Sequence, residues 1–440
     1  MRKEIYRHEG TLSIDDVKHY INRYELEDKP RLRKMYNYYI GDHDILRKKY
    51  EPYKPDARIV HNFASYISNT ATSYFMGTPI SYASEDDDTM KEIQKILDYN
   101  DEADKNAIHA EYMSIYGRSY ELIYVDKDSR IDTRFAVVSP EEIIVIYDYA
   151  LEPKITAAIR YYYDNDNKLF VELYDSENVT YLEGDKDSIS IVDTVRHHFK
   201  DVPVVEYVNN NTRQGDYEPV IRLIDEYNEI NSTTANDFAY FSDAYLFLAG
   251  ASMDEDEASN MKENKIIMSD DPQAKAEFLI KNINDVALEN YKKRIEKDIH
   301  KFSAIPNMSD ESFASNLSGV AIKYKILGLE NMAAMKERKF KKGLQRRFKL
   351  MYNLLFTRGK TNVDYLDVQP TFKRSLPSNL LDEAEVVTKL QGIISDETLM
   401  NMLSLVEDPA VEKQQIKDEQ SERTPFIDRA YADEEEYITH

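Results

Sequence analysis

Apolar positions along this chain keep two different rhythms. Up to Tyr116 they recur mostly three and four residues apart, the spacing of one face of a helix. Residues 13–41 read as two short helices, with Ser13 as the N-cap of the first and Gly41 ending the second. In "NFASYISNTATSYFMG" Phe63, Ile67, Ala71 and Phe75 share a face, and Gly77 is the expected C-cap. Two further helices are expected over 88–99 and 102–116. From Tyr120 the pattern shortens to β-rich runs: "YELIYVD", "RFAVVS", "IIVIYD", "ITAAIRYYY", "KLFVELYD", "NVTYLEG" and "SISIVDTV". Asp, Asn, Gly and Pro punctuate them, and the later runs read as a meander of antiparallel hairpins. The fold class that follows is α+β rather than an alternating βαβ series.

After "VPVVEYVNNNTRQGDYEPV" the helical period returns. Val220, Leu223, Tyr227 and Ile230 lie on one face, and the pattern is expected to run on to Gly250. A thirty-residue helix would be about 45 Å long at roughly 1.5 Å per residue, which suits a stalk. A small insert follows, with an acidic helix "DEDEASNMKE" and strands "KIIMSD" and "AEFLIK". A second helix, "NDVALENYKKRIEKDIHKFS", steps by three and four through Leu288, Tyr291, Ile295, Ile299 and Phe302. A third is expected from Val320 to Phe356, with Gly328 or Gly343 permitting a bend. Strand and loop at "DYLDVQPTFKRSLP" lead to three short helices at 380–391, 396–405 and 409–423, the last opened by Asp408 and Pro409.

Composition narrows the function. The 440 residues imply more than one packed unit, and the absence of Cys excludes disulfides, thiolate metal sites and Cys nucleophiles. The start "MRKEIYRHEG" lacks a signal-peptide run and no stretch approaches about 20 apolar residues, so a soluble protein made in the cytosol, without membrane, is expected. Thirty-four Tyr against no Trp put hydroxyls on much of the aromatic surface, which suits wet interfaces and leans toward assembly. A net charge of −24 argues against ordinary nucleic-acid binding, which depends on Lys and Arg neutralising phosphates. That charge is uneven: residues 401–440 hold eleven acids and four bases, whereas Met335 to Lys349 hold eight bases and one acid. The acidic end, 424–440, is expected to be disordered.

Candidate chemistry is sparse. "RGKTN" contains Gly-Lys-Thr, but Leu354 stands where a phosphate-binding loop needs its first Gly, so a helix-ending turn is the better reading. His197 and His198 adjoin on an apparent strand and point to opposite faces. "EDDD" at 85–88 could attract a divalent ion, although a solvated helix start is the commoner meaning of such a run. No metal, cofactor or catalytic motif is identified, and a non-enzyme is expected. In the basic stretch, Lys336, Lys339, Lys342, Arg346 and Lys349 are the candidate phosphate contacts. The competing reading pairs these bases with acidic neighbours in the chain or in another copy, and the interspersed Phe340, Leu344 and Phe348 favour it.

Between the second and third helices, "SAIPNMSDESFASNLSGVA" is polar and mildly acidic in a chain with only 12 Gly and 14 Pro. In one isolated copy it would be a mobile connection. In a ring of copies the same loops would gather at the axis. The segments "ARIVHNFASYISNTATSYFMGTPISY", "YEPVIRLIDEYNEINSTTANDFAYFSDAYLFLAG", "FSAIPNMSDESFASNLSGVAIKYKILGLENMAAMKERKFKKGL" and "GIISDETLMNML", in that order, resemble the portal proteins of long-tailed bacteriophages. The likeness spans roughly residues 15–423.

The resemblance implies a portal fold assembled as a dodecameric ring at one capsid vertex, through which double-stranded DNA enters and leaves. It implies a wing over 1–232, a stem helix over 233–251, a clip over 252–282, a second stem helix over 283–304 and a tunnel loop over 305–317. A long helix returning to the wing over 318–378 and a crown over 379–423 complete the chain. Asn307, Ser309, Asp310, Ser312, Ser315 and Asn316 would face the moving DNA with neutral hydrogen-bonding groups and some repulsion. The implied partners are terminase, a head-tail connector, and scaffolding and major capsid proteins, with virion localisation after assembly in the host cytoplasm. An alternative reading is a metal-dependent hydrolase or nucleotidyl transferase built on the β-rich middle. A scaffold whose long helices bundle with partners is a further one.

Overall fold

The computed structural model describes residues 5–49, 55–84, 86–131, 133–185, 188–242, 245–249, 273, 275–279, 285–309, 319–357, 359, 364–375, 380–403, 405–406, 409 and 412–420. Helices α1 (Ile14–Glu27) and α2 (Lys29–Tyr39) form the opening pair. Ser13 caps α1: its hydroxyl accepts from the Asp16 amide at 3.2 Å while the Asp16 carboxylate accepts from the Ser13 amide at 2.8 Å. This reciprocal pairing satisfies two amides that the first helical turn leaves open. Helices α3 (Phe63–Met76), α4 (Asp87–Tyr99) and α5 (Glu102–Tyr116) follow at the expected places. The Asp86 side chain accepts from the amides of Asp88 and Thr89, so the described part of the acidic run serves as a helix cap.

The β-rich middle builds two sheets. Strands β1 (Tyr6–Arg7), β5 (Ile143–Tyr147), β6 (Ile155–Tyr163), β7 (Leu169–Tyr174), β8 (Asn178–Asp185) and β9 (Ser188–Arg196) lie side by side in that order. From β5 to β9 they are an antiparallel meander, and β1 adds a parallel edge. The smaller sheet has the order β10 (Val204–Val208), β3 (Arg118–Val125), β4 (Thr133–Val138). Alternation along β5 divides its residues: Ile144 and Ile146 join the helical core, while Ile143, Val145 and Tyr147 meet Tyr120, Leu122 and Val204 of the smaller sheet. The larger sheet is thus covered on both faces at β5. A short pair, β2 (Ser81–Ala83) with β13 (Gln369–Thr371), ties the late chain to the early helices.

Several expectations change. Strand β10 lies within a segment read only as a lead-in to helix. Helix α6 (Ile221–Ser242) stops short of Gly250, and Tyr245–Ala249 is strand β11, antiparallel to β12 (Lys275–Leu279). "YLFLA" is a contiguous apolar run without a helical period, and the expected thirty-residue stalk helix is therefore 22 residues long. The 233–251 span is helical only to Ser242 among the described residues. His197 and His198 lie beyond the end of β9, and a φ of 64° at His198 separates them by a turn rather than by strand alternation.

The second long helix, α7 (Asp285–Ser303), forms as expected. The third is interrupted at Ile326, giving α8 (Gly319–Lys325) and α9 (Leu327–Thr357). The interruption adjoins Gly328, while Gly343 lies inside an unbroken helix. Gly359 ends α9 with a φ of 70° and an amide bonded to the Phe356 carbonyl at 2.9 Å, a helix-ending turn. Helices α10 (Leu380–Leu390) and α11 (Asp396–Asn401) follow, α11 shorter than expected, and 412–420 is helical. The acidic helix at 254–263, the strand at 265–270, Asp408 and the tail at 424–440 lie outside the described residues, as do Asp310, Ser312, Ser315 and Asn316.

Candidate functional site

The polar loop after α7 leaves from a built root. Ser303 ends the helix, Ala304 turns the chain with a φ of 60°, and Ile305 is fully buried. The His300 ring donates from Nδ1 to the Ile305 carbonyl at 3.0 Å, so the last helical turn holds the first loop residue. Tyr66 of α3 then clamps the backbone: its hydroxyl donates to the Pro306 carbonyl at 2.9 Å and accepts from the Met308 amide at 2.8 Å. Asn307 donates its side-chain amide to Glu296 at 3.2 Å and accepts the Ser309 amide at 3.0 Å. A cavity of about 320 Å³ lined by His61, Phe63, Tyr66, Glu296, Asn307 and Ser309 opens beside this root. Burial lowers the pKa of His61, favouring its neutral form. On the other flank of the loop, a Cβ placed on Gly328 would meet the Ala304 carbonyl at 3.4 Å, so the start of α9 packs beside the root.

Helix α9 fixes that root to the smaller sheet and to α5. The Arg347 guanidinium donates from Nε to Glu121 Oε1 at 2.9 Å and from Nη2 to Glu121 Oε2 at 2.6 Å. It also reaches Glu102 and Asn106, both at 3.0 Å. Glu121 accepts a further bond from His109 Nε2 at 3.1 Å, and His109 Nδ1 faces the Ser119 hydroxyl at 2.8 Å. Burial by itself would raise the Glu121 pKa, but the Arg347 charge and the bonds from His109 and Arg347 win and hold it at about 2. Burial lowers the pKa of His109, so it serves as a neutral donor to Glu121.

Four of the five candidate basic contacts have partners inside the chain. Lys336 is 2% exposed and pairs with Asp216, which also accepts from Ser114 at 2.6 Å and Asn209 at 2.8 Å. Lys339 bonds Asn211. Arg346 donates to the carbonyls of Val202 and Val204 and pairs with Asp201, which Lys349 also reaches at 2.7 Å. Lys342 is exposed. Asp201 is lowered in pKa because these two bases outweigh the opposing effect of burial. Arg347, the most deeply used base of the stretch, was not among the sequence candidates. Its signal was position: it continues the apolar face of Phe340, Leu344, Phe348 and Met351, where a charge must be paired.

The phage portal family described as "Phage portal protein, SPP1 Gp6-like" matches residues 18–425. The chain belongs to this family. Two curated relatives are described as "Portal protein". The portal protein of Clostridium phage phiCD119 is 28% identical over 84% of this chain and 88% of its own length. The portal protein of Bacillus phage SPP1 is 24% identical over 89% of this chain and 84% of its own. A solved structure titled "Neck of native GTA particle computed with C12 symmetry" aligns with a TM-score of 0.47 at 8% identity, covering 86% of this chain and 94% of that one. That likeness is too slight to add to the assignment.

The chain's function is therefore that of a phage portal, the channel at a capsid vertex for packaging and ejecting double-stranded DNA. The portal family is structural. The hydrolase and nucleotidyl transferase reading gains no support from these relatives, and among the described residues no group of three or more His, Asp or Glu could hold a metal ion. No described helix is long and apolar enough to cross a membrane.

Proposed function

We propose that this portal is a passive conduit: a closed ring of about twelve copies whose channel constriction is the polar loop at 305–317. The observation that carries the loop assignment is its root. Tyr66, His300 and Glu296 hold residues 305–308 against α3 and α7, so the chain enters the loop from a fixed base. Asn307 commits its amide group to Glu296 and Ser309 and acts as an anchor. Ser309, Asp310, Ser312, Ser315 and Asn316 then meet the DNA with neutral hydrogen-bonding groups and one negative charge. A channel must hold its cargo loosely, and a net charge of −24 keeps electrostatic binding from stalling movement.

In this reading the 1–232 wing surrounds a stem over 233–251 and 283–304, with the clip at 252–282 and the crown at 379–423. The 318–378 segment returns to the wing, consistent with the pairing of Arg347 with Glu121 and of β13 with β2. The portal hydrolyses no nucleotide. An ATP-driven terminase docks on the clip and supplies the work, and a head-tail connector replaces it after packaging. Scaffolding and major capsid proteins surround the ring during assembly in the host cytoplasm.

Deleting Ser309 to Ser315 tests the loop. Rings are expected to form normally while packaging or retention of DNA is impaired. Normal packaging by the deletion variant would contradict the assignment.

A further inference from the structure

The chain over residues 55–61 is attached to the fold by polar bonds rather than by packing. No residue in it is buried, and none belongs to a hydrophobic cluster. Instead every second amide donates to a side chain of α6: Ala57 to Asn236 Oδ1 at 2.7 Å, Ile59 to the Ser232 hydroxyl at 2.9 Å and His61 to Asn228 Oδ1 at 2.8 Å. The three acceptors recur at every fourth position, so one polar stripe of α6 meets one edge of the segment. Arg58 adds a bond to the Leu46 carbonyl at 2.7 Å.

The last of these acceptors is tied to a buried histidine. Asn228 and His43 are both fully buried, and the Asn228 side-chain nitrogen lies 2.9 Å from His43 Nδ1. His43 Nε2 lies 3.1 Å from the Tyr38 carbonyl, and the ring stacks on Tyr38 with centroids 4.4 Å apart. A carbonyl only accepts, so Nε2 carries the hydrogen and Nδ1 is bare. A backbone amide only donates, so the Asn228 oxygen faces His61 and its NH2 faces the bare nitrogen. Only the neutral ring satisfies all three bonds. The charged groups facing this assembly are Asp225 of α6, which accepts from the Tyr38 hydroxyl at 2.5 Å, and Asp44, which pairs with Lys34 and Arg47. Lys34 also lies 5.2 Å from the Tyr38 ring centroid, and Asn62 faces the imidazole. Burial outweighs the Tyr38 bond and the two carboxylates and holds His43 below the ordinary imidazole value of 6.5.

We propose that His43 and Asn228 are a proton-operated latch on the 57–61 segment, closed while His43 is neutral and opened when Nδ1 takes up a proton. The new N–H points at the Asn228 NH2, donor against donor. Turning the amide over mends that contact but sets its NH2 against the His61 N–H, so one of the two bonds is lost in either orientation. With no buried apolar side chain to hold it, the segment leaves α6 beginning at His61, whose ring lines the cavity beside the loop root. The folded value lies below 6.5, so the latch is complete above 6.5 and is lost as pH falls toward that lower value. The subunit thereby carries a local response to acid that does not depend on the ring or on the loop assignment.

The test is amide hydrogen exchange of the full chain, read by mass spectrometry from about pH 7.5 to about pH 5 and corrected for the intrinsic pH dependence of exchange. Wild type is compared with three variants. His43→Phe keeps a ring on Tyr38 but cannot titrate. Asn228→Asp offers oxygens to both the His61 amide and a protonated His43. His61→Gln keeps the backbone donor and removes the second imidazole of the segment, whose own pKa burial also lowers. Wild type and His61→Gln are expected to lose protection over 57–61 by about tenfold or more in acid, while His43→Phe and Asn228→Asp show no such loss and the α3 amides stay unchanged in all four. Should His43→Phe fail to fold, Asn228→Asp decides by the same reading. Flat protection in wild type overturns the proposal, as does a loss that His61→Gln abolishes, since the other imidazole would then be responsible. Parallel loss across α3 is general acid unfolding and overturns it too.

Discussion

Arg347 and Glu121 form a two-pronged ion pair with neither side chain exposed, joining helix α9 to strand β3 across 226 residues of sequence. Removing one partner leaves the other charged and buried, which costs more than the pair itself contributes. Arg347→Met should therefore destabilise the subunit by about 3–5 kcal/mol, measured by urea denaturation. Arg347→Met combined with Glu121→Gln should recover part of that loss, and equal destabilisation in the single and double variants would contradict the pairing.

The same carboxylate sets an acid limb of stability. Its folded pKa of about 2 lies below the ordinary value of 4.5, so the stabilisation is fully present above that ordinary value and is lost as pH falls toward the folded one. The size is roughly 3 kcal/mol at one pKa unit per about 1.4 kcal/mol. Denaturation curves between those pH values should show a shallower decline for Glu121→Gln than for wild type. Parallel declines would place the acid sensitivity elsewhere.

Gly343 sits inside α9, where Ala would ordinarily be favoured by about 1 kcal/mol. Here a Cβ would approach Tyr207 Cδ1 to 2.3 Å, and Tyr207 is fully buried. Gly343→Ala should therefore destabilise, by about 1–3 kcal/mol, because the ring has no room to withdraw. A thermal melt decides the sign, and a raised midpoint would show that the helix and sheet separate easily.

Legibility in the sequence followed locality. Strands β3 to β9 and helices α1 to α5 were readable because each is a local period bounded by Asp, Asn, Gly or Pro. Strand β10 was not, since "VVEYV" is short and its pairing with β3 brings together residues about eighty apart. The end of α6 was overextended because Tyr245 to Leu248 are apolar enough to continue almost any pattern. The loop was visible as an interruption, yet Tyr66, which clamps it from 240 residues away, carried no mark in the sequence.

That clamp has its own consequence. Tyr66→Phe removes both the donor to Pro306 and the acceptor for Met308 while keeping the ring packed against His300. The expected loss is about 1–2 kcal/mol of local stability, seen as faster amide exchange at Met308 with little change in global unfolding. Unchanged exchange at Met308 would show that the root is held by other contacts.

Image averages of the purified protein, viewed along the ring axis by electron microscopy, bear most directly on the channel. The account predicts closed rings of about twelve subunits around an open bore. Single subunits or open chains under every assembly condition, together with capsids that fill with DNA in the absence of this protein, would contradict it.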